Sequence, residues 1–472
     1  MSANTLSWRA ALRRVHDAFT YLDDQGAGAG MDPSMLPPIL ATRRVARQSL
    51  RWLNLNVMLR AVFDNISAGS GVLFVAYALS LGIDRAEIAR FTAAASFGCA
   101  FQMIVIPLLR KVADPKGFVI KLGAIEPLVM IVAILLALVV PAGWALPVLA
   151  AATISSAASL HMSRPVRDDW EAAAIPAGLR GRYLGRRVRL LSLVAVAALV
   201  APAILGDAAG RNPTVLAGLL VVGGAFGVLA VASLSRVAQY GGEGFSDIAM
   251  KDVLAVAKVS SFRRFVGGTF IYNLPFLLTV PFYQVYFQTV LGMSFSVIVG
   301  NSAAYLLLKA AAARAIGSLG DRLGPRRGLL VVGPLYITFF VLMALSTPDR
   351  VWLVYLAWGT AAVGDAMYMV AYTSGLYAAV PKRGPRPAFF AFNNLFVLGA
   401  YGVGAIVAEL LIKWMGDGER MIGPMSFGPY QCLYLIAGAT MCVAMFGALL
   451  YVRKPARMRH HPTPGGQKNI TV

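Results

Sequence analysis

Gly317-Ser-Leu-Gly-Asp-Arg-Leu-Gly-Pro-Arg-Arg327 decides the fold. One carboxylate, three arginines and three glycines fall within eleven residues, and long apolar segments flank them on both sides. Polar punctuation of this kind belongs where a chain leaving a bilayer turns back. Asp321 can cap backbone donors or pair with an arginine of a neighbouring bundle. Gly324 permits a tight turn, and Pro325 starts a helix where its missing N–H would be unsatisfied anyway. Arg326 and Arg327 can snorkel to lipid phosphates.

The apolar flanks are typical of the whole chain. Of 472 residues, 58% are hydrophobic and 14% charged, and the mean hydropathy is +0.67; a soluble protein carries about 25% charged residues. So much apolar surface needs lipid as its solvent. A net charge of +21 would suit nucleic acid, but the Lys and Arg lie between apolar runs rather than on one soluble face. No nucleic acid is therefore expected as a partner; anionic membrane lipids are. A bilayer core of ~30 Å takes ~20 apolar residues as a helix. This predicts twelve spans, at about 53–80, 87–109, 117–140, 143–163, 190–206, 213–234, 265–289, 295–317, 328–346, 351–378, 389–412 and 429–452.

Charge placement orients them. One set of connections holds Arg110, Lys111, Lys116, Arg164, Arg167, Arg180, Arg182, Arg186, Arg187, Arg263, Arg264, Arg322, Arg326, Arg327, Lys382, Arg383 and Arg386. The alternate set holds only Arg85, Arg90, Arg211, Arg350, Lys413 and Arg420. The basic set faces the cytoplasm, which places both termini inside. The second half also repeats the first. Arg110-Lys-Val-Ala-Asp-Pro-Lys-Gly117 follows the second span and Gly317–Gly324 the eighth, aligning Asp114 with Asp321 and Gly117 with Gly324. Ile175-Pro176…Arg180-Gly-Arg-Tyr183 follows the fourth, and Val380-Pro381…Arg383-Gly-Pro-Arg386…Phe389 the tenth.

The 317–327 stretch resembles the loop signature of the major facilitator superfamily of transporters, G-x-L-x-D-R-x-G-x-R-R, at Gly317, Leu319, Asp321, Arg322, Gly324, Arg326 and Arg327. The resemblance extends over the membrane part, 53–453. The N-terminal copy departs from the pattern: Arg110 replaces the first Gly, Pro115 the Arg and Val119 a closing basic residue. The resemblance implies an all-α polytopic membrane protein with twelve transmembrane helices in two pseudo-symmetric six-helix bundles. Its substrate site would lie between the halves near the midplane. The expected units are a basic cytoplasmic extension (1–52), an N-terminal bundle (53–237) and a linker with an amphipathic helix at Ile248–Ala257 (238–264). A C-terminal bundle (265–453) and a basic tail (454–472) complete the chain. Asp114, Gly317, Asp321, Arg322, Gly324, Arg326 and Arg327 form the expected cytoplasmic gate, with Asp321 and Asp114 each latching the halves; simple anchoring of the loops is the alternative.

An ionisable group inside the bilayer costs at least ~2.5 kcal/mol and so asks for a reason. Asp64 lies eleven residues into the first span, ~16 Å along a helix. Because the first helix of each triplet lines the cavity in the superfamily, Asp64 is a proton-coupling candidate; the alternative is an ion pair with Arg60 one turn earlier. Asp365, the second coupling candidate, and Lys309 fall at similar depths in spans 10 and 8 and can face each other. Such a pair would bind or exchange a proton for a charged solute, or would fix bundle packing. Tyr272, Asn273 and Gln284 in span 7, Tyr368 in span 10 and Asn394 in span 11 complete the candidate cavity. Pro275 and Pro281 should break span 7. Glu126, beside Pro127, is assigned to a backbone defect or to another helix.

No enzyme site emerges: the chain lacks G-x-x-x-x-G-K-[ST], HExxH and any Ser/His/Asp arrangement. No cofactor is expected, and Cys99, Cys432, Cys442 and the four histidines form no metal constellation. The expected function is secondary active transport of a small-molecule, organic solute across the bacterial inner membrane by alternating access, coupled to protons, in a monomer. A lipid translocase or a non-transporting scaffold is the alternative.

Overall fold

The computed structural model describes residues 43–451, apart from 70, 85–86, 89–96, 110–111, 113, 176–179, 209, 211, 239–254, 382–385, 417, 419 and 423–424. Residues 1–42 of the N-terminal extension, 248–254 of the linker helix expected at Ile248–Ala257, and the basic tail lie outside the described residues. The described chain is almost entirely helical. α1 runs over Arg43–Ile66, α2 over Val72–Ser80, α3 over Phe101–Leu109, α4 over Pro115–Val139 and α5 over Ala142–Ala174. α6 covers Arg180–Ala208, α7 Pro213–Leu234, α8 Ser260–Thr279 and α9 Phe295–Ala344. α10 (Trp352–Ala379), α11 (Arg386–Met415) and α12 (Pro429–Tyr451) complete it, with a small hairpin of β1 (Arg420–Ile422) and β2 (Met425–Phe427) before α12.

These helices fall on the expected spans in order, with three local differences. The first span is two helices, because Ser67, Gly69 and Gly71 interrupt it between α1 and α2. The seventh passes from α8 into a 3-10 turn at Val280–Phe282 and a π turn at Tyr286–Val290, as its two prolines foretell. Spans 8 and 9 run on as α9, broken only at Gly324, whose φ of 71° is left-handed and suits glycine alone. The 317–327 stretch is therefore less a loop than the end of one helix, a single-residue hinge, and the Pro325 start of the next. The basic connection after span 4 contracts likewise: Arg164 and Arg167 lie within α5, and Arg180, Arg182, Arg186 and Arg187 within α6.

Eight of the described helical stretches are long and apolar enough to cross a membrane. Their outer faces confirm the solvent. α4 exposes Ile125, Leu128, Val132, Leu135 and Val139 while burying Met130 and Ile134 on its inner side, so its outer face is apolar and suited to lipid. Glycines let the N-terminal helices approach closely. A Cβ on Gly227 of α7 would come within 2.7 Å of Phe63 Cδ2 and 2.8 Å of Pro127 Cβ, and one on Gly223 would land on Ser67 Oγ. Close backbone approach of this kind supplies the dispersion that holds helices together in lipid. The second bundle packs through rings instead: Phe276, Tyr336, Phe339 and Phe340 form one aromatic cluster.

Candidate functional site

The two bundles meet along α6 and α9. A Cβ on Gly185 would lie 2.6 Å from Gly317 Cα, so no side chain separates the helices there. One turn further, the Asp321 carboxylate accepts hydrogen bonds from the backbone N–H groups of Gly181 (2.7 Å) and Arg182 (3.1 Å). These are unpaired donors at the N-terminus of α6, where a carboxylate is favoured by both charge and geometry. Arg182 Nε stands 3.6 Å from the same carboxylate. Gly181 has no alternative, since a Cβ there would land on Asp321 Oδ1.

The same end of the molecule carries three more contacts between the halves. Arg386 Nε of α11 lies 2.9 Å from Asp169 Oδ1 of α5. Asn394 Nδ2 of α11 donates to Asp168 Oδ2 of α5 at 3.0 Å. The Arg180 guanidinium sits 5.4 Å from the Tyr377 ring, a cation–π geometry. Of the other expected gate residues, Gly317 forms the close helix crossing and Gly324 the hinge, whereas Arg322 and Arg327 point outward and Arg326 is half-buried. Asp114 is exposed at the N-terminus of α4, and among the described residues nothing from the second bundle pairs with it.

Inside the N-terminal bundle, one guanidinium holds two carboxylates. Arg60 Nη1 and Nη2 donate to Glu126 Oε2 and Oε1 at 2.5 and 2.6 Å, while Nε donates to Asp64 Oδ1 at 2.7 Å. The Arg60–Asp64 pair is the one-turn partnership foreseen in the sequence. Glu126 is the added member, and its bidentate fork explains an acid on α4. The Asp64 side chain is 44% exposed and that of Glu126 4%, so the two carboxylates occupy very different surroundings.

Inside the C-terminal bundle, Lys309 Nζ of α9 lies 3.7 Å from Asp365 Oδ2 of α10. Hydroxyls fill the gap: Tyr305 and Tyr336 both donate to the Asp365 carboxylate, the latter at 2.5 Å, and Lys309 Nζ donates to Tyr305 Oη at 3.1 Å. Next to it, Asn273 Nδ2 donates to Tyr368 Oη at 2.6 Å. Tyr272 stacks on Tyr368 at 5.8 Å, and Tyr368 on Tyr372 at 5.5 Å. Asn393 reaches Tyr372 Oη at 2.6 Å and thereby joins this ladder to the Asn394–Asp168 contact. The side chain of Gln284 lies outside the described residues. Sequence reasoning missed Tyr305, Tyr336 and the acids Asp168, Asp169 and Glu171. The acids had a signal: they follow Arg164 and Arg167 at helical spacing.

Two helical bundles packed on a glycine seam, with ionisable groups buried inside each, define a polytopic helical membrane protein. By sequence, residues 265–472 match the Major Facilitator Superfamily. Solved structures of transporters share the fold over most of the chain. The Escherichia coli fucose:proton symporter is 13% identical with a TM-score of 0.64, over 87% of this chain and 100% of that one. A bacterial homologue of the iron transporter ferroportin in its outward-facing state is 15% identical with a TM-score of 0.62, over 86% and 99%. The nucleoside transporter NupG is 14% identical with a TM-score of 0.53, over 86% and 100%. No curated protein matches the chain.

Proposed function

We propose that the chain is a proton-coupled secondary transporter of a small organic solute in the bacterial inner membrane, working by alternating access. The moving units are 53–237 and 265–453, tethered by 238–264. The observation that carries the coupling is the Arg60 guanidinium shared by Asp64 and Glu126. One cation facing two carboxylates leaves a unit of negative charge that a proton can neutralise, and the more open Asp64 is the arm that protons reach. Asp365 differs, since two phenols and Lys309 already satisfy it; it poises the tyrosine ladder and answers when substrate displaces a hydroxyl. The tight α6–α9 crossing and the Asp321 contacts support a state closed on the cytoplasmic side and open outward. In proteoliposomes, Asp64→Asn should abolish pH-driven solute accumulation while leaving solute exchange intact. Accumulation by Asp64→Asn that still follows the proton gradient would refute the assignment.

A further inference from the structure

The coupling triad has a counterpart on α5 of the same bundle. α5 carries His161, Arg164 and Arg167 at successive three-residue spacings, so they follow one stripe of the helix. Arg167 Nε is shielded from solvent with no hydrogen-bond partner, and so are Arg164 Nε and His161 Nδ1. Among the described residues Arg167 has no ion pair. Arg164 reaches Asp168 only at 3.7 Å, and that carboxylate already accepts from Asn394. Buried donors without acceptors are rare in native structures and call for an explanation.

The charges around Arg167 make its role specific. Within electrostatic reach of it are Glu171, Asp168, Arg60, Arg164 and, on α4, Glu126; His161 in turn feels Arg164 and Arg60. Glu171 is taken by Arg187 at 2.5 Å, and Asp169, beside it, by Arg386. Arg60, Arg164, Arg167 and Arg187 thus face Asp64, Glu126, Asp168 and Glu171. The cluster balances as a whole, but unevenly: the Arg60 triad holds one excess negative charge and Arg167 one excess positive charge. Protonating Asp64 removes the first and leaves the second uncompensated.

We infer that Arg167, with Arg164 and His161, binds the anionic group of the transported solute, a carboxylate or phosphate, and that the site loads when Asp64 is protonated. This rests on the transport reading above and adds its substrate class: an organic anion moved together with a proton. Coupling then needs no direct contact between proton and solute, only the electroneutrality of one buried cluster.

The test uses purified full-length protein at constant ionic strength. Thermal stabilisation and calorimetric binding are measured with acetate, benzoate, succinate, citrate and inorganic phosphate, and with acetamide, benzamide and succinamide as neutral counterparts. At least one anion should stabilise the protein where its neutral counterpart does not, and bind more tightly as the pH falls. Arg167→Gln should weaken that binding at least tenfold, Arg167→Lys should restore part of it, and Asp64→Asn should bind tightly without pH dependence. Arg350→Gln, on the opposite face, controls for general charge. Equal response to anions and amides, no response to any anion, or unchanged binding by a folded Arg167→Gln would overturn the inference. Stabilisation by phosphatidylglycerol in the micelle but by no free anion would reassign the site to a lipid headgroup and overturn it too. Flux of a neutral or cationic solute that Arg167→Gln leaves intact would remove the anion site yet keep the transport reading. Anion binding without flux of any solute would do the reverse.

Discussion

Replacing Asp321 with Asn tests whether one carboxylate sets the balance between closed and open states. Its two oxygens accept from Gly181 N–H at 2.7 Å and Arg182 N–H at 3.1 Å, with Arg182 Nε at 3.6 Å. Asn keeps a single oxygen acceptor and loses the charge. A hydrogen bond to a charged group contributes about 1.5–3 kcal/mol, and a carboxylate at a helix N-terminus about 0.3–1 kcal/mol. The Arg182 side chain is 53% exposed, so its ion pair adds little. Losing one bond and the charge should cost the closed state about 2 kcal/mol, or roughly thirtyfold in the closed-to-open ratio. Spin labels at Arg186 of α6 and Leu319 of α9, in a background with its three cysteines replaced, report the separation of the bundles across this crossing. Wild type should show one short distance and Asp321→Asn a second, longer one. An identical distance distribution in a folded Asp321→Asn protein would show that the carboxylate is an anchor rather than a latch.

Sterics should mimic that loss. Gly185→Val places atoms against the Gly317 backbone, where a Cβ alone comes within 2.6 Å; the same label pair should report a lengthened distance with no change of charge. Arg60→Gln leaves Glu126 buried without its fork, and breaking a buried pair costs about 3–5 kcal/mol. Its thermal unfolding midpoint in detergent should therefore fall well below that of the Arg60→Gln/Glu126→Gln double variant. Tyr336→Phe removes one of two phenolic donors to Asp365 and should destabilise by about 1.5–3 kcal/mol. Lys309→Met should be additive with it only if the phenols and the amine act on Asp365 separately, which a double-mutant cycle measures.

Much of this was written locally. The Arg60–Asp64 pair follows from a four-residue spacing on one helix, the span 7 break from Pro275 and Pro281, and the hinge from Gly324 preceding Pro325. The Lys309–Asp365 pairing was legible from equal depth, because a charge in lipid has few places to go. The rest needed distances between segments far apart in the chain. Nothing near Glu126 announces that Arg60, 66 residues earlier, forks onto it. Nothing near Asp321 says that its acceptors meet backbone donors 140 residues away, since every helix N-terminus offers the same donors.

Hydropathy, charge alternation and the 317–327 signature thus determined the solvent, the order of spans and the duplicated architecture, for these depend on composition and local spacing alone. Only the tertiary structure decided which charges are spent on each other and which, like Arg167, are left over. Pairing inside a low-dielectric bundle is a matter of ångströms between helices, and a one-dimensional pattern carries no such lengths.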